Sequence, residues 1–134
     1  KAHQAGLLIS VTVILGLAGK AGSQRHAKQT AWLLNQINPR YISALTLMLG
    51  PFEKNYKKAM GENFEFLNKF ELLQELKWMV EELNVKDSIF RTNHASNYLP
   101  IKGDLPRDKD KILELIDYAL AHPEILRPEE WRAL

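Results

Sequence analysis

The sequence contains no cysteine, and this absence excludes several kinds of functional site. Without thiols the chain cannot form a disulfide, a cysteine nucleophile or a thiolate metal site. It also cannot hold an iron–sulfur cluster through thiolates of its own. A chain without cysteine is compatible with a reducing compartment, so we expect a cytoplasmic protein.

A long basic block and a membrane-spanning apolar run are absent as well. The 18 Lys and Arg residues are interspersed with 16 Asp and Glu residues, which gives a formal net charge of +2. Nucleic-acid-binding proteins typically cluster their basic residues, so we expect no nucleic acid partner. The apolar stretch 7–18 is too short to cross a membrane as a helix. It imitates a secretory signal, but its β-branched residues favour a strand that is buried on both faces.

The chain repeats one pattern, a strand followed by an amphipathic helix, three times. We predict strands at 7–15, 41–49 and 88–92, and helices that begin near Ser23, after Asn68 and after Asp108. Such alternation predicts an α/β fold of three successive β-α units with parallel strands in sequence order. We expect helices on one face and a curvature like that of a barrel segment. Residues 1–134 would then form one domain.

Local signals predict where the helices begin and end. The hydroxyl of Ser23 is expected to cap the first helix, and Asn38 followed by Pro39 should end it. Asn68 and Glu71 have the spacing of a capping box at the start of the second helix. The residues predicted for the buried side of that helix are Phe70, Leu73, Leu76, Met79, Val80 and Leu83.

The three loops that follow the strands, 16–22, 49–67 and 93–107, should lie at one edge of the sheet. In parallel α/β folds this is the edge where ligands bind. The first loop has Gly16, Gly19 and Gly22 before a helix, so its N–H groups could approach an anion that Lys20 neutralises. A plain structural turn is the alternative interpretation.

The stretch "NHASNYLP", residues 93–100, has more hydrogen-bonding side chains than a simple turn requires. His94 could transfer protons near neutral pH, which makes it the candidate catalytic residue. Arg91 could bind a substrate carboxylate through two hydrogen bonds, and Asn93, Ser96 and Asn97 could bind substrate beside it. The alternative is a network in which these side chains only brace the loop. The four His residues lack metal-ligand spacing, so we expect no metal.

Residues 11–49 and 90–117 resemble the carboxyl-terminal half of a radical S-adenosylmethionine (SAM) iron–sulfur oxidoreductase. The branch is uncharacterised and similar to oxygen-independent coproporphyrinogen oxidase. The most specific parts are "GLAG" with the following "HAKQTA", "NPRYISALTL" and "FRTNHASNYLP". The resemblance implies a partial (β/α) barrel of the TIM type, in which a 4Fe-4S cluster on a CxxxCxxC loop reduces S-adenosylmethionine to a 5′-deoxyadenosyl radical.

This sequence departs from the family pattern because it lacks the CxxxCxxC loop and the first strands. S-adenosylmethionine and the 4Fe-4S cluster are therefore expected in a longer parent protein, and no cofactor is expected on this chain alone. The resemblance implies backbone contacts to the adenosine from Ile14, Leu15 and Gly16, although Thr12 replaces a family Gly. It also implies contacts to the adenine from main-chain groups of the second strand, namely Leu45, Thr46 and Leu47.

Three parallel strands leave two open edges, which natural proteins normally cover. We expect the partner to be the missing amino-terminal half of the barrel, a second protein chain or another copy of this chain. A functional alternative also stays open. The chain could be a self-contained α/β module that binds a ligand or another protein and has no catalytic activity.

Overall fold

The computed structural model describes residues 3–133 as an α/β domain with short 3₁₀ turns between its main elements. The main elements, in chain order, are β1 (Ser10–Leu15), α1 (Gly19–Ile37), β2 (Tyr41–Thr46), α2 (Glu53–Met60), α3 (Lys69–Glu82), β3 (Ser88–Arg91), β4 (Lys102–Leu105) and α4 (Lys109–Ala121). Within residues 3–133 no helix is long and apolar enough to cross a membrane.

The strands form one open sheet in the order β1-β2-β3-β4. The first three strands are parallel, as predicted, and β2 lies between β1 and β3. The fourth strand was not predicted, because "KGDL" lies within the segment interpreted as a loop and has little strand propensity of its own. It pairs antiparallel with β3, so the sheet is mixed and does not close into a barrel.

α1, α3 and α4 pack on one face of the sheet. α1 contacts α3, and α3 contacts α4. The strand residues on this face include Ile42, Ala44 and Phe90, which are fully buried. α4 lies so close to β4 that a Cβ added at Gly103 would come within 2.9 Å of the Ile112 side chain. The hydrophobic core therefore lies between this face and the three long helices.

The opposite face of the sheet, which we call the uncovered face, is partly or fully exposed. It is formed by Ser10, Thr12 and Ile14 of β1, Tyr41, Ser43 and Leu45 of β2, Ile89 and Arg91 of β3, and Lys102 and Asp104 of β4. The prediction that the first strand is buried on both faces is wrong. β1 is an edge strand in which Ser10, Thr12 and Ile14 are exposed, and Leu7 and Leu8, which precede it, are exposed as well.

The helix boundaries agree with the local signals in two of three cases. The capping box of Asn68 and Glu71 is present, and Asn38 ends α1 in the left-handed conformation with φ of 46°. The cap predicted at Ser23 is wrong, because α1 begins at Gly19 and Ser23 is buried inside it. Phe70 is also wrongly predicted as buried, since it is 39% exposed in the first turn of α3.

Candidate functional site

The carboxyl ends of β1 and β2 border a cleft of about 290 Å³. Gly16, Thr46 and Leu47, three of the residues expected near the adenosine, line this cleft. The other three lie elsewhere. Ile14 and Leu45 are neighbours on the uncovered face, whereas Leu15 is buried beneath the helices. The six residues thus meet at one end of two adjacent strands but point to different environments.

The backbone N–H groups at the cleft are already engaged within the protein. Gly16 N–H donates to the Glu75 carboxylate at 3.0 Å, and Thr46 N–H donates to the Ser96 hydroxyl at 3.1 Å. Leu47 N–H donates to the carbonyl of Leu15 at 3.0 Å. These three N–H groups are therefore satisfied within the protein.

A buried carboxylate holds the glycine loop in place. Glu75 is fully buried on α3, where it accepts hydrogen bonds from Gly16 N–H and from the Ser23 hydroxyl at 2.5 Å. His26 Nδ1 lies 2.9 Å from the same carboxylate. Sequence reasoning missed this cluster, although one signal was available. Glu75 is a carboxylate within the apolar stripe of α3, and a buried carboxylate needs partners.

The loop at 93–100 is braced by two of the predicted substrate-binding residues. Asn97 is buried, and its amide donates to the carbonyls of Ala44 at 2.7 Å and Thr92 at 2.9 Å. Its Oδ1 accepts from the Thr46 hydroxyl at 2.9 Å. Ser96 is also fully buried, with its hydroxyl accepting from Thr46 N–H. These contacts join the loop firmly to the end of β2.

His94, Asn93 and Arg91 are exposed, in contrast to the bracing pair. His94 Nδ1 accepts a hydrogen bond from Ser96 N–H at 3.1 Å and lies 3.0 Å from the Ser96 hydroxyl. A nitrogen that accepts from a backbone N–H carries no proton, so the neutral imidazole is protonated at Nε2. The loop therefore offers a ligand the Nε2–H of His94 and the amide of Asn93.

Two arginines near the carboxyl terminus fasten the same loop. Arg127 donates to three carbonyl oxygens of the loop, those of His94, Ala95 and Asn97, at 3.0 to 3.1 Å. Arg132 donates to the carbonyl of Ser96 at 2.8 Å. Sequence reasoning missed both residues, because contacts across some thirty intervening residues leave no local signal in the sequence.

Tyr98 stands at the wall of the cleft in a polar cluster of its own. Its hydroxyl donates to Glu129, and the Arg132 guanidinium lies 4.0 Å from the centre of its ring. Burial, together with the hydrogen bond to Glu129, raises the pKa of Tyr98 to about 12. Hydrogen bonds from Tyr98 and Arg132 lower the pKa of Glu129. Tyr98 is thus a neutral hydrogen-bond donor near pH 7 and cannot serve as a base.

The described residues do not fit a protein-held metal or cluster. No group of three or more His, Cys, Asp or Glu side chains in residues 3–133 is arranged to bind a metal ion. The sequence also has no cysteine for an iron–sulfur cluster. Any cluster that acts at this site must be ligated by residues outside these 134.

Comparison with known proteins gives no further guide to function. No family model matches the chain, and neither the curated proteins nor the solved structures include a significant match. Function must therefore be inferred from the geometry of the fold and the chemistry of its residues.

Proposed function

We propose that this chain is the carboxyl-terminal part of a radical SAM iron–sulfur oxidoreductase, in which it supplies adenosine-side backbone and a substrate-side loop. The uncovered face carries this proposal. In a (β/α) barrel, helices surround the outside while the other face of each strand lines the interior. Parallel sheets that stand alone normally have both faces covered. Sequential parallel strands with helices on one face are what a barrel segment would have.

The adenosine side of the proposed site would use the carboxyl ends of β1 and β2. Ile14 and Leu45 are paired in register there and form a partly exposed apolar shelf against which a flat purine could lie. A cluster held by the rest of the protein would supply the radical chemistry, and the ends of β1 and β2 near Ile14 and Leu45 would hold S-adenosylmethionine. The role of this chain is to position S-adenosylmethionine and the substrate around that chemistry.

The substrate side would use the three exposed residues at the end of β3. Arg91 lies on the uncovered face, and Asn93 and His94 follow it in the loop. His94 can donate its Nε2 proton to a substrate oxygen or transfer it. The buried pair Ser96 and Asn97 keeps the imidazole in a defined position through the contacts with β2. Bracing and substrate binding are therefore divided between different residues of one loop.

The position of β4 indicates the edge of the sheet at which the rest of the barrel would continue. It covers the free edge of β3 with an antiparallel strand, so the parallel order ends there. The outer edge of β1 is the one that remains for a further parallel strand. We therefore infer that the amino-terminal half pairs with β1.

The antiparallel pairing of β4 with β3 also favours the second candidate, a self-contained ligand-binding or interaction module. An antiparallel edge strand is one way in which a small sheet ends. The sequence encoded before residue 1 would distinguish the two proposed functions. A CxxxCxxC motif there supports the enzyme, whereas an open reading frame without one leaves the module as the better account.

In the complete protein, we expect His94→Ala to lower turnover by about 100-fold, as loss of a general acid or base does. Affinity for S-adenosylmethionine should stay unchanged, because His94 is assigned to the substrate. Turnover and equilibrium binding of S-adenosylmethionine would be measured on the anaerobically reconstituted enzyme. His122→Ala is the control for removal of an imidazole. The His122 ring stacks on Tyr118 and its Nδ1 lies 3.2 Å from the Glu124 carboxylate, so the substitution should leave both quantities unaltered.

Two results would contradict this role of His94. Unchanged turnover together with a destabilised loop would mean that the residue only braces it. An equal loss of cofactor binding and turnover would move the loop to the adenosine side.

A further inference from the structure

One row of polar residues crosses the whole uncovered face. The strand register places Thr12 beside Ser43, Ser43 beside Arg91, and Arg91 beside Lys102. All four residues are partly or fully exposed. Neighbouring strands lie about 4.8 Å apart, so this row spans roughly 14 Å. It has two hydroxyls at one end and two cations at the other.

The two basic residues stand directly opposite each other on neighbouring strands. Thr92 N–H donates to the carbonyl of Ile101 at 2.9 Å, and Ile101 N–H donates to the Thr92 hydroxyl at 2.8 Å, so residues 92 and 101 occupy a hydrogen-bonded position of the ladder. Because hydrogen-bonded and non-hydrogen-bonded pairs alternate along an antiparallel ladder, Arg91 and Lys102 form a non-hydrogen-bonded pair. In such pairs the side chains of the two strands approach each other most closely. Like charges placed directly opposite each other destabilise a sheet.

Within residues 3–133 nothing neutralises this pair. Arg91 and Lys102 have no ion pair and no side-chain hydrogen bond in that range. The nearest acidic residue on the face is Asp104, which lies in the next row. Its carboxylate is bound by Arg107 at 2.7 Å. A locally unfavourable arrangement without structural compensation is typical of a functional position.

We propose that Arg91 and Lys102 together bind an oxyanion, a carboxylate or phosphate group of a small-molecule substrate, on the uncovered face. A guanidinium binds two oxygens of such a group in a planar fork, and the ammonium adds a second positive charge. The hydroxyls of Thr12 and Ser43 lie further along the row, where they can bond polar groups of the same molecule. The substrate class is thus an elongated polar molecule with an anionic end.

This inference names the substrate class of the proposed enzyme and so rests on that function for its biological meaning. The anion site itself can be tested on the 134-residue chain without any cluster. Failure of anion binding, with a CxxxCxxC motif present upstream, would reject the substrate class alone. Anion binding without that motif would reject the enzyme and leave the site as part of a binding module.

The test is a titration of the ¹⁵N-labelled chain, followed by NMR, with inorganic phosphate or with acetate. Sodium chloride at matched ionic strength serves as the reference. We expect saturable chemical-shift changes at Ser43, Arg91 and Lys102, with a dissociation constant on the order of 10 mM. This value corresponds to a binding free energy of about 3 kcal/mol for a free anion on an open face. The anion that binds more tightly identifies the group as phosphate or carboxylate.

Arg91→Gln combined with Lys102→Gln should abolish these shifts. The matched control is Lys57→Gln with Lys58→Gln, which removes the same charge from α2 and should leave them intact. Arg91→Lys keeps both charges but loses the planar guanidinium, so anion binding should weaken at least about threefold. Shifts that equal those in chloride, or that persist in the double variant of Arg91 and Lys102, would overturn the proposal.

Discussion

Single buried side chains determine how the loops of this protein meet its sheet. Glu75 is the main example, since its carboxylate ties α1 and the glycine loop to α3. Burying a carboxylate is unfavourable unless hydrogen bonds replace its water. Gly16 N–H and the Ser23 hydroxyl donate to this carboxylate, and His26 Nδ1 lies 2.9 Å from it. The position of the candidate site therefore depends on a residue that need not touch a ligand.

Replacing Glu75 with Ala should lower the free energy of unfolding by about 3 kcal/mol, because the substitution leaves Gly16 N–H and the Ser23 hydroxyl buried without partners. Urea unfolding followed by circular dichroism measures the change. Glu81→Ala is the matched control on the same helix, at an exposed position, and should change stability by less than about 0.5 kcal/mol. Equal effects of the two substitutions would mean that the Glu75 network contributes little to stability.

At the scale of elements, the junction of β4 and α4 is held by one carboxylate. Asp108 precedes α4 and accepts a hydrogen bond from Asp104 N–H of β4 at 2.9 Å. Arg107 binds the same carboxylate at 2.9 Å. The hydrogen bond from Arg107, followed by that from Asp104 N–H, lowers the pKa of Asp108 to about 2. The ionised form of Asp108 is thus favoured in the folded protein.

This shift predicts a pH dependence of stability. The pKa of Asp108 is lower in the folded state than in the unfolded state, where it is about 3.9. The contribution of Asp108 to the stability of the folded protein is therefore complete above about pH 4 and is lost as the pH falls through about 2. We expect Asp108→Asn to be less stable than the wild type at pH 7, with a difference that shrinks between pH 4 and pH 2.

Urea unfolding at a series of pH values would measure that difference. Asp110→Asn, in the first turn of the same helix, provides the control for a general loss of negative charge near the helix dipole. A difference that stays constant down to pH 2 would contradict the assigned role of Asp108.

At the scale of the molecule, α1, α3 and α4 pack on one face of the sheet, whereas the strand residues of the other face are partly or fully exposed. A barrel half would place its interior face there, and the outer edge of β1 would receive the next strand. The chain has no cysteine, so the cluster chemistry of the proposed enzyme must come from the rest of the protein. The prediction that this chain holds no cluster of its own is testable on the chain alone.

Treatment of the isolated chain with iron and sulfide under reducing conditions should give no charge-transfer absorption after desalting, because no thiolate is present to hold a cluster. The proposed parent enzyme with its CxxxCxxC motif, treated in parallel, is expected to retain this absorption. Stable and stoichiometric absorption by the isolated chain would reveal a site without cysteine and would overturn this assignment of roles.

The sequence by itself determined those features whose causes lie within a few residues. Asn68 and Glu71 cap α3 across three residues, and Asn38 before Pro39 ends α1. The alternation of apolar strands with amphipathic helices was sufficient for the parallel order of β1, β2 and β3. These features are local, because their hydrogen bonds and steric limits act between neighbours in the chain.

Only the tertiary structure decided the features that join distant residues. Lys102 became part of a strand because β3 was there to pair with it, although its own segment has little strand propensity. Ser23 bonds Glu75, 52 residues away, and so is a buried helix residue and not a cap. Which face of β1 is covered, and which residues stand beside Arg91, likewise follow from packing and register. Such contacts form only when the folded chain brings together groups that carry no sign of one another in the sequence.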